Sequence, residues 1–269
     1  MDKKIKLNND QMIPTIALGV WQSHEDTKEA VLIALKNGYR HIDTASVYGN
    51  EEAVGEAIKE SGIPREQLFV TTKLWNDDIR NRNTRNALKE SLKKLGLDYV
   101  DMYLIHWPAE GYVEAYLEME KLQQEGLVKG IGVSNFRKSH LENLLAHVSV
   151  IPAIDQIETN PQMVDEETIN YCHENKIAIE AWSPLGSGAC LNDPVIHEIS
   201  QKYHKSSAQI ILRWLLQKDI IVLPKSVHEH RIKENIDLFN FSLTDEDMAL
   251  INQLNKHKRT GPDPDHFDF

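Results

Sequence analysis

Clusters of basic residues are missing from this chain of 269 residues. Thirty lysines and arginines stand against 41 acids, for a net charge of −11, and the acids are spread over segments such as Glu51 to Glu60 and Glu114 to Glu125. Bulk nucleic-acid binding is excluded on that ground, because phosphate affinity grows with the number of clustered cations. Long apolar runs are missing too. The start, Met1-Asp2-Lys3-Lys4-Ile5-Lys6-Leu7, has no signal-peptide core, and nothing approaches the about 20 apolar residues of a membrane span; a cytoplasmic protein without membrane contact is expected. Only two cysteines occur, Cys172 and Cys190, too few for a metal framework, and both read as free thiols. No strand runs into a Gly-x-Gly-x-x-Gly turn. Gly130-Ile131-Gly132-Val133-Ser134-Asn135 comes closest and lacks the third glycine, which argues against a doubly wound dinucleotide fold. His228-Glu229-His230 has two imidazoles without a third ligand and reads as surface, so no metal is expected.

What is present is an ordinary globular composition, 41% hydrophobic and 26% charged, arranged as alternating strands and helices. A hairpin is predicted at Lys4-Ile5-Lys6-Leu7, turning at Asn8-Asn9-Asp10. Strands are predicted at Ile16 to Val20, Arg40 to Asp43, Leu68 to Lys73, Val100 to His106, Val128 to Ser134, Ala153 to Glu158, Ile177 to Trp182 and Ile220 to Leu223. Eight is the number a closed parallel barrel requires. Between them apolar residues recur at helical spacing: Ala30, Ile33 and Ala34; Ala87, Leu88, Leu92 and Leu95; Tyr116, Leu117, Met119 and Leu122. Two helices, Val195 to Tyr203 and Ala208 to Leu216, separate the last two strands. A final helix near Thr244 to Leu254 precedes the polar, Pro-rich tail Arg259 to Phe269. The fold class is therefore α/β, a (β/α)8 TIM barrel with an N-terminal β-hairpin and extra helices, read as one domain over residues 1–269.

Asp43, Lys73 and His106 each close or follow a predicted strand, 30 and 33 residues apart, about one βαβ repeat. That spacing puts them on one rim, the C-terminal one where barrels gather catalytic groups, with Tyr48 in the loop above. A phenol has a pKa near ~10, and an adjacent cation favours phenolate. Tyr48 is thus a candidate proton donor, Lys73 its activating charge, Asp43 the anchor of that ammonium, and His106 a neutral hydrogen-bond donor that orients a carbonyl oxygen. Taken singly, Lys73 with Asp43 reads as a structural ion pair and His106 as a satisfied core histidine. Their joint placement on one rim favours chemistry.

The motifs Gly38-Tyr39-Arg40-His41-Ile42-Asp43-Thr44-Ala45, Tyr48-Gly49-Asn50-Glu51, Lys73-Leu74-Trp75, His106-Trp107-Pro108, Gly132-Val133-Ser134-Asn135-Phe136, Gln156, Trp182-Ser183-Pro184-Leu185-Gly186 and Leu223-Pro224-Lys225-Ser226 occur in order. Together they make a chain that resembles the aldo-keto reductases. Its length and the tail Thr260-Gly261-Pro262-Asp263-Pro264-Asp265 look most like the microbial branch that includes the 2,5-diketo-gluconate reductases. The resemblance implies NADPH-dependent reduction of aldehydes, ketones or keto-sugar acids by the tetrad Asp43, Tyr48, Lys73 and His106. It implies that Ser134, Asn135 and Gln156 bind the nicotinamide carboxamide and that Trp182, where many relatives have tyrosine, stacks on the ring. Ser183, Leu185 and Ser187 would follow the pyrophosphate, Lys225, Ser226 and Arg231 the ribose phosphate, and Glu234 with Asn235 the adenine. Cys190 lies in a loop near these residues, which leaves a reactive thiol open. Without the resemblance, Trp182 is equally a packing residue and Lys225 to Asn235 a solvated loop and helix start.

Trp21, Trp75 and Trp107 follow the first, third and fourth strands and are read as substrate-pocket walls, with His106 beside them. A small carbonyl compound is the expected partner, and a monomer the expected state. Two other classes remain on the same barrel: a cofactor-binding sensor, which has no need of a proton donor with an activating lysine, and an aldolase in which Lys73 forms a Schiff base.

Overall fold

The computed structural model describes residues 3–269. Near the N-terminus, β1 (Lys4–Lys6) and β2 (Met12–Pro14) form an antiparallel hairpin with Ile5 opposite Ile13. There follow β3 (Leu18–Gly19), α1 (Thr27–Lys36), β4 (His41–Asp43), α2 (Glu51–Ser61), β5 (Phe69–Leu74), the short α3 (Asn76–Arg80), α4 (Thr84–Leu95), β6 (Val100–Ile105), α5 (Tyr112–Gln124) and β7 (Val128–Ser134). The second half continues through α6 (Lys138–Leu145), β8 (Ile154–Glu158), α7 (Glu166–Glu174), β9 (Ala178–Trp182), α8 (Pro194–Tyr203), α9 (Ser207–Gln217), β10 (Ile221–Val222), α10 (Glu229–Ile236) and α11 (Asp245–Asn252).

Strands β3 to β10 pair in chain order, all in parallel. Bridges from Ile16 to Val222 and from Gly19 to Lys225 join the two ends, so the sheet closes as a (β/α)8 barrel. The end strands are shorter than the sequence predicts. Their seam passes Pro224, which has no N–H to donate and accepts from the Gly19 amide at 3.2 Å instead. The extra helix before the last strand is present. It starts with a reciprocal cap in which Ser206 Oγ accepts from the Gln209 amide and the Gln209 side chain accepts from that of Ser206.

Strand alternation divides the core. Outward residues such as Ile42, Val70, Tyr103 and Ile105 pack with the helices. Inside, the lower barrel is apolar: Phe69, Met102, Leu104, Ile154 and Ile221 meet Leu7 and Ile13 from the hairpin, which plugs that end. Higher up, the same inward rows carry His41, Asp43, Lys73, Gln156 and Glu180, all buried. At Gly132 on β7 the neighbouring strand β8 approaches closely; a Cβ there would stand 2.6 Å from the Ile154 carbonyl oxygen. Gly130 instead makes room for the side chains of Gln11 and Asn9, to which a Cβ would come within 2.3 and 2.8 Å, so the glycines of the incomplete fingerprint serve packing of the barrel and its plug.

Candidate active site

Lys73, the fifth residue of β5, is completely buried. Its Nζ donates to Asp43 Oδ1 at 2.6 Å and to the Thr44 carbonyl at 2.8 Å, and it lies 5.1 Å from the centre of the Tyr48 ring. Tyr48 ends a 3-10 turn, Ser46–Tyr48, pinned to β5 by Ser46 Oγ donating to the Lys73 carbonyl at 3.0 Å. Gly49 leaves that turn at φ +67°, a left-handed conformation that suits glycine. The imidazole of His106, just past β6, lies 5.6 Å from the Tyr48 ring. The three rim positions and the loop tyrosine thus form one cluster.

The charges are set by burial first. Desolvation pulls the Lys73 ammonium down, but Asp43 and Tyr48 more than offset it, and the group is held above its ordinary value. Burial and, secondarily, the Lys73 charge hold His106 well below its usual range, so it is neutral. Tyr48 departs from the sequence-based expectation. Lys73 does pull the phenol down, yet desolvation outweighs that pull and Asp43 opposes it, so the pKa is raised. A cation already paired with a carboxylate projects only part of its charge onto a neighbour.

Deeper in the barrel, Gln156 Nε2 donates to Asp43 Oδ2 at 2.9 Å and to Glu180 Oε2 at 2.8 Å. Both amide protons are engaged, and among the described residues no donor reaches its Oε1. Ser134 Oγ donates to the Gln156 carbonyl at 2.8 Å. Asn135, at φ +62°, donates to the His106 carbonyl at 3.0 Å and accepts from Trp182 Nε1 at 2.8 Å. These contacts fix the orientation of the half-buried Trp182 ring at the end of β9.

Past β9, Ser183, Gly186, Ser187 and Gly188 all have positive φ, and Ser183 Oγ accepts from the Ser187 amide at 3.0 Å; Leu185 is half-buried between them. Beyond β10, Lys225 and Arg231 are exposed, and among the described residues neither has an ion pair. Ser226 Oγ accepts from the His228 amide at 3.1 Å. Glu234 accepts from Ser206 Oγ at 2.5 Å, which engages one oxygen of that carboxylate, and Asn235 is buried on α10.

The tail packs against this site; Thr260 to Asp265 were read from sequence only as a mark of resemblance, and Phe267 and Phe269 were not singled out. Phe269 stacks on Trp75 with ring centres 5.7 Å apart and planes 5° from parallel, and Phe267 and Phe269 both pack on Trp107. The oxygen of Phe269 accepts from Asn76 Nδ2 at 3.1 Å and Arg80 Nη2 at 2.8 Å. Glu158, buried at the end of β8, accepts from the Thr260 amide and hydroxyl, both at 2.6 Å, while Arg137 pairs with Asp263 and Asp265. Trp75 also lies 5.2 Å from His106. Trp21 is 56% exposed and stands outside this aromatic group. Glu158 and Glu180 left one readable signal, a carboxylate inside a strand that is otherwise buried.

Cys190 is buried and its thiol pushed up by desolvation, which opposes the thiolate a reactive cysteine needs. His228 and His230 are exposed, and among the described residues no group of three candidate ligands gathers. Among those residues, too, no helix is long and apolar enough to cross a membrane.

Known proteins are similar to this chain over nearly its whole length. The glyoxal reductase of Bacillus subtilis is 47% identical over 98% of this chain and 97% of its own length. The methylglyoxal reductase DkgA of Escherichia coli K12 is also 47% identical, over 98% and 97%. A Bombyx mori aldo-keto reductase solved in complex with NADP superposes with a TM-score of 0.92, at 42% identity over 98% of this chain and 96% of that one. The model of the Aldo/keto reductase family matches residues 15–256, and the chain belongs to that family of oxidoreductases.

Proposed function

We propose that this protein is an NADPH-dependent reductase of small aldehydes, ketones and keto-sugar acids, with Tyr48 as proton donor. The observation that carries the reading is the buried Lys73, joined to Asp43 at 2.6 Å and set against the Tyr48 ring, with neutral His106 beside it. The bound cofactor would supply the hydride to the carbonyl carbon. His106 donates a hydrogen bond to the substrate oxygen, and Tyr48 passes its proton to that oxygen as negative charge develops there. A phenol held above its ordinary pKa stays protonated at neutral pH, as a donor must, and the nearby ammonium stabilises the phenolate left behind.

The residues fit a nicotinamide dinucleotide. Gln156 Oε1 is free to accept from the carboxamide, and Trp182 presents an oriented ring. Ser134 and Asn135 act mainly by positioning, since their polar groups already hold Gln156, His106 and Trp182. Ser183, Leu185 and Ser187 would follow the pyrophosphate. Lys225 and Arg231, with Ser226, would take the extra phosphate of NADPH, and Glu234 and Asn235 the adenine. Trp75 and Trp107, narrowed by Phe267 and Phe269, favour compact substrates, which agrees with relatives named for glyoxal and methylglyoxal; Trp21 edges the mouth.

The test is NADPH consumption with a panel of 2-oxoaldehydes, simple aldehydes, ketones and keto-sugar acids, with NADH alongside. Turnover of the small dicarbonyls, faster with NADPH, is expected. No oxidation with any member would leave a cofactor-binding protein as the better reading, and borohydride trapping of a substrate on Lys73 would favour the aldolase.

A further inference from the structure

Glu180 has no part in the reaction as described, yet it is completely buried two steps from its centre. It sits on β9 facing into the barrel. The charged or titratable groups that face it are His41 and Asp43 from β4 and Lys73 from β5; Gln156 comes from β8, and β3 and β10 contribute only apolar residues and glycine. Its Oε2 accepts from Gln156 Nε2 at 2.8 Å, and that nitrogen also serves Asp43 Oδ2 at 2.9 Å. Among the described residues its Oε1 has no hydrogen-bond partner, and it lies 4.0 Å from His41 Nε2. That nitrogen is itself 3.1 Å from Thr71 Oγ1.

We propose that Glu180 is a positioning residue of the active site. It clamps the Gln156 amide together with Asp43 so that the amide oxygen faces the cofactor, and it acts as a neutral acid whose ionisation at alkaline pH weakens the effect of Lys73 on Tyr48. The inference rests on the reductase reading above.

Three observations converge on it. An amide nitrogen shared by two carboxyl groups can turn only one way, so removing one partner frees the side chain to flip or swing. Among the described residues the pocket holds a single cation, Lys73, and Asp43 already pairs with it. A second carboxylate in this buried space would go unneutralised, and His41 cannot help, because burial lowers its pKa to about 3. Burial and the Asp43 charge accordingly push the Glu180 carboxyl up to about 8. Below that pH the cluster is one cation and one anion. Above it a second anion faces Lys73, holds the ammonium more tightly and offsets the positive charge that stabilises Tyr48 phenolate.

The first measurement needs no activity. In infrared difference spectra across a pH titration, the wild-type protein should show a protonated carboxyl band that disappears with a midpoint of about 8. Labelling glutamate with 13C should shift that band, which separates it from Asp155, another buried acid held well above its ordinary range. A labelled protein with no shifted band overturns the proposal, whether or not any carbonyl is reduced. The second measurement compares reduction rates at about pH 7 and about pH 9.5, where the wild type should lose roughly two- to tenfold as its acid weakens. Glu180→Gln, permanently neutral but with an amide oxygen that still accepts from Gln156, should flatten that loss and leave the KM for NADPH within about twofold, whereas Glu180→Met, which has no acceptor, should raise that KM several-fold. Glu180→Asp should restore part of the alkaline loss. The same alkaline loss in wild type and Glu180→Gln would overturn the proposal; an intact infrared signal in a protein that reduces nothing would overturn the reductase reading instead.

Discussion

Around Asp43 and Lys73 the charges are buried and joined at 2.6 Å, whereas Lys225 and Arg231, just past β10, are exposed and unpaired among the described residues. Both regions are polar and both border the barrel mouth. The first is set before any ligand arrives, and its buried charges are little screened by water. The second is exposed, so its charges are screened by water and salt. On the proposed function, the buried region would govern the height of the barrier, and the exposed one which cofactor is chosen.

The sharpest break in that division is Tyr48→Phe. General acid catalysis contributes ~10²- to 10⁴-fold, so turnover of a poorly reactive ketone should fall by at least that much. NADPH affinity, measured by fluorescence titration, should stay within a few-fold. Near-normal turnover would remove Tyr48 from its role.

Lys73→Met follows. It strips the cation from Asp43 and leaves a buried carboxylate unpaired, which costs about 3–5 kcal/mol, read as a lower urea midpoint. In the fraction that stays folded, the pKa of the catalytic group should move up, since Lys73 lowers that of Tyr48. An unchanged pH profile would make Lys73 purely structural.

For the exposed region, Lys225→Ala with Arg231→Ala should weaken NADPH binding and barely alter NADH. Each charge-assisted contact contributes about 1.5–3 kcal/mol, and exposure places these at the lower end, so about 10²-fold for the pair is expected. Raised salt should shrink the wild-type preference for NADPH in parallel. Equal loss of both cofactors would assign these residues to the shared pyrophosphate or to the fold.

The smallest effect is expected from the tail. Glu158→Gln replaces the acceptor of two 2.6 Å hydrogen bonds from Thr260 and should loosen the segment that carries Phe267 and Phe269. A few-fold rise in KM for small dicarbonyls is the expected outcome, with kcat largely kept. No change in KM would separate the tail from substrate selection.

Much of the buried region was legible in the sequence because a repeating fold writes its rim at a fixed interval. Asp43, Lys73 and His106 recur at one βαβ length, and each ends an apolar run. The eight strands were legible for the same reason, although the two at the seam shorten around Pro224. Relations across the barrel were not. Gln156 and Asp43 are separated by 113 positions and Glu158 and Thr260 by 102, and no local period encodes such pairings. The raised pKa of Tyr48 was missed for a related reason: proximity to Lys73 is readable from spacing, but the depth of burial that outweighs it is a property of the packed mouth. Phe267 and Phe269 sit in a polar, Pro-rich segment whose composition gives no sign of docking, and the contacts that draw them in, the faces of Trp75 and Trp107 together with Asn76, Arg80 and Glu158, lie far away in sequence.

The division between barrier and cofactor choice is tested most directly by measuring NADPH dissociation constants and single-turnover rates at saturating NADPH in Tyr48→Phe and in the Lys225→Ala, Arg231→Ala double variant. Tyr48→Phe should lose the rate by about 10²-fold or more and keep the affinity; the double variant should lose affinity and keep the rate. Loss of both quantities in both variants would contradict the account.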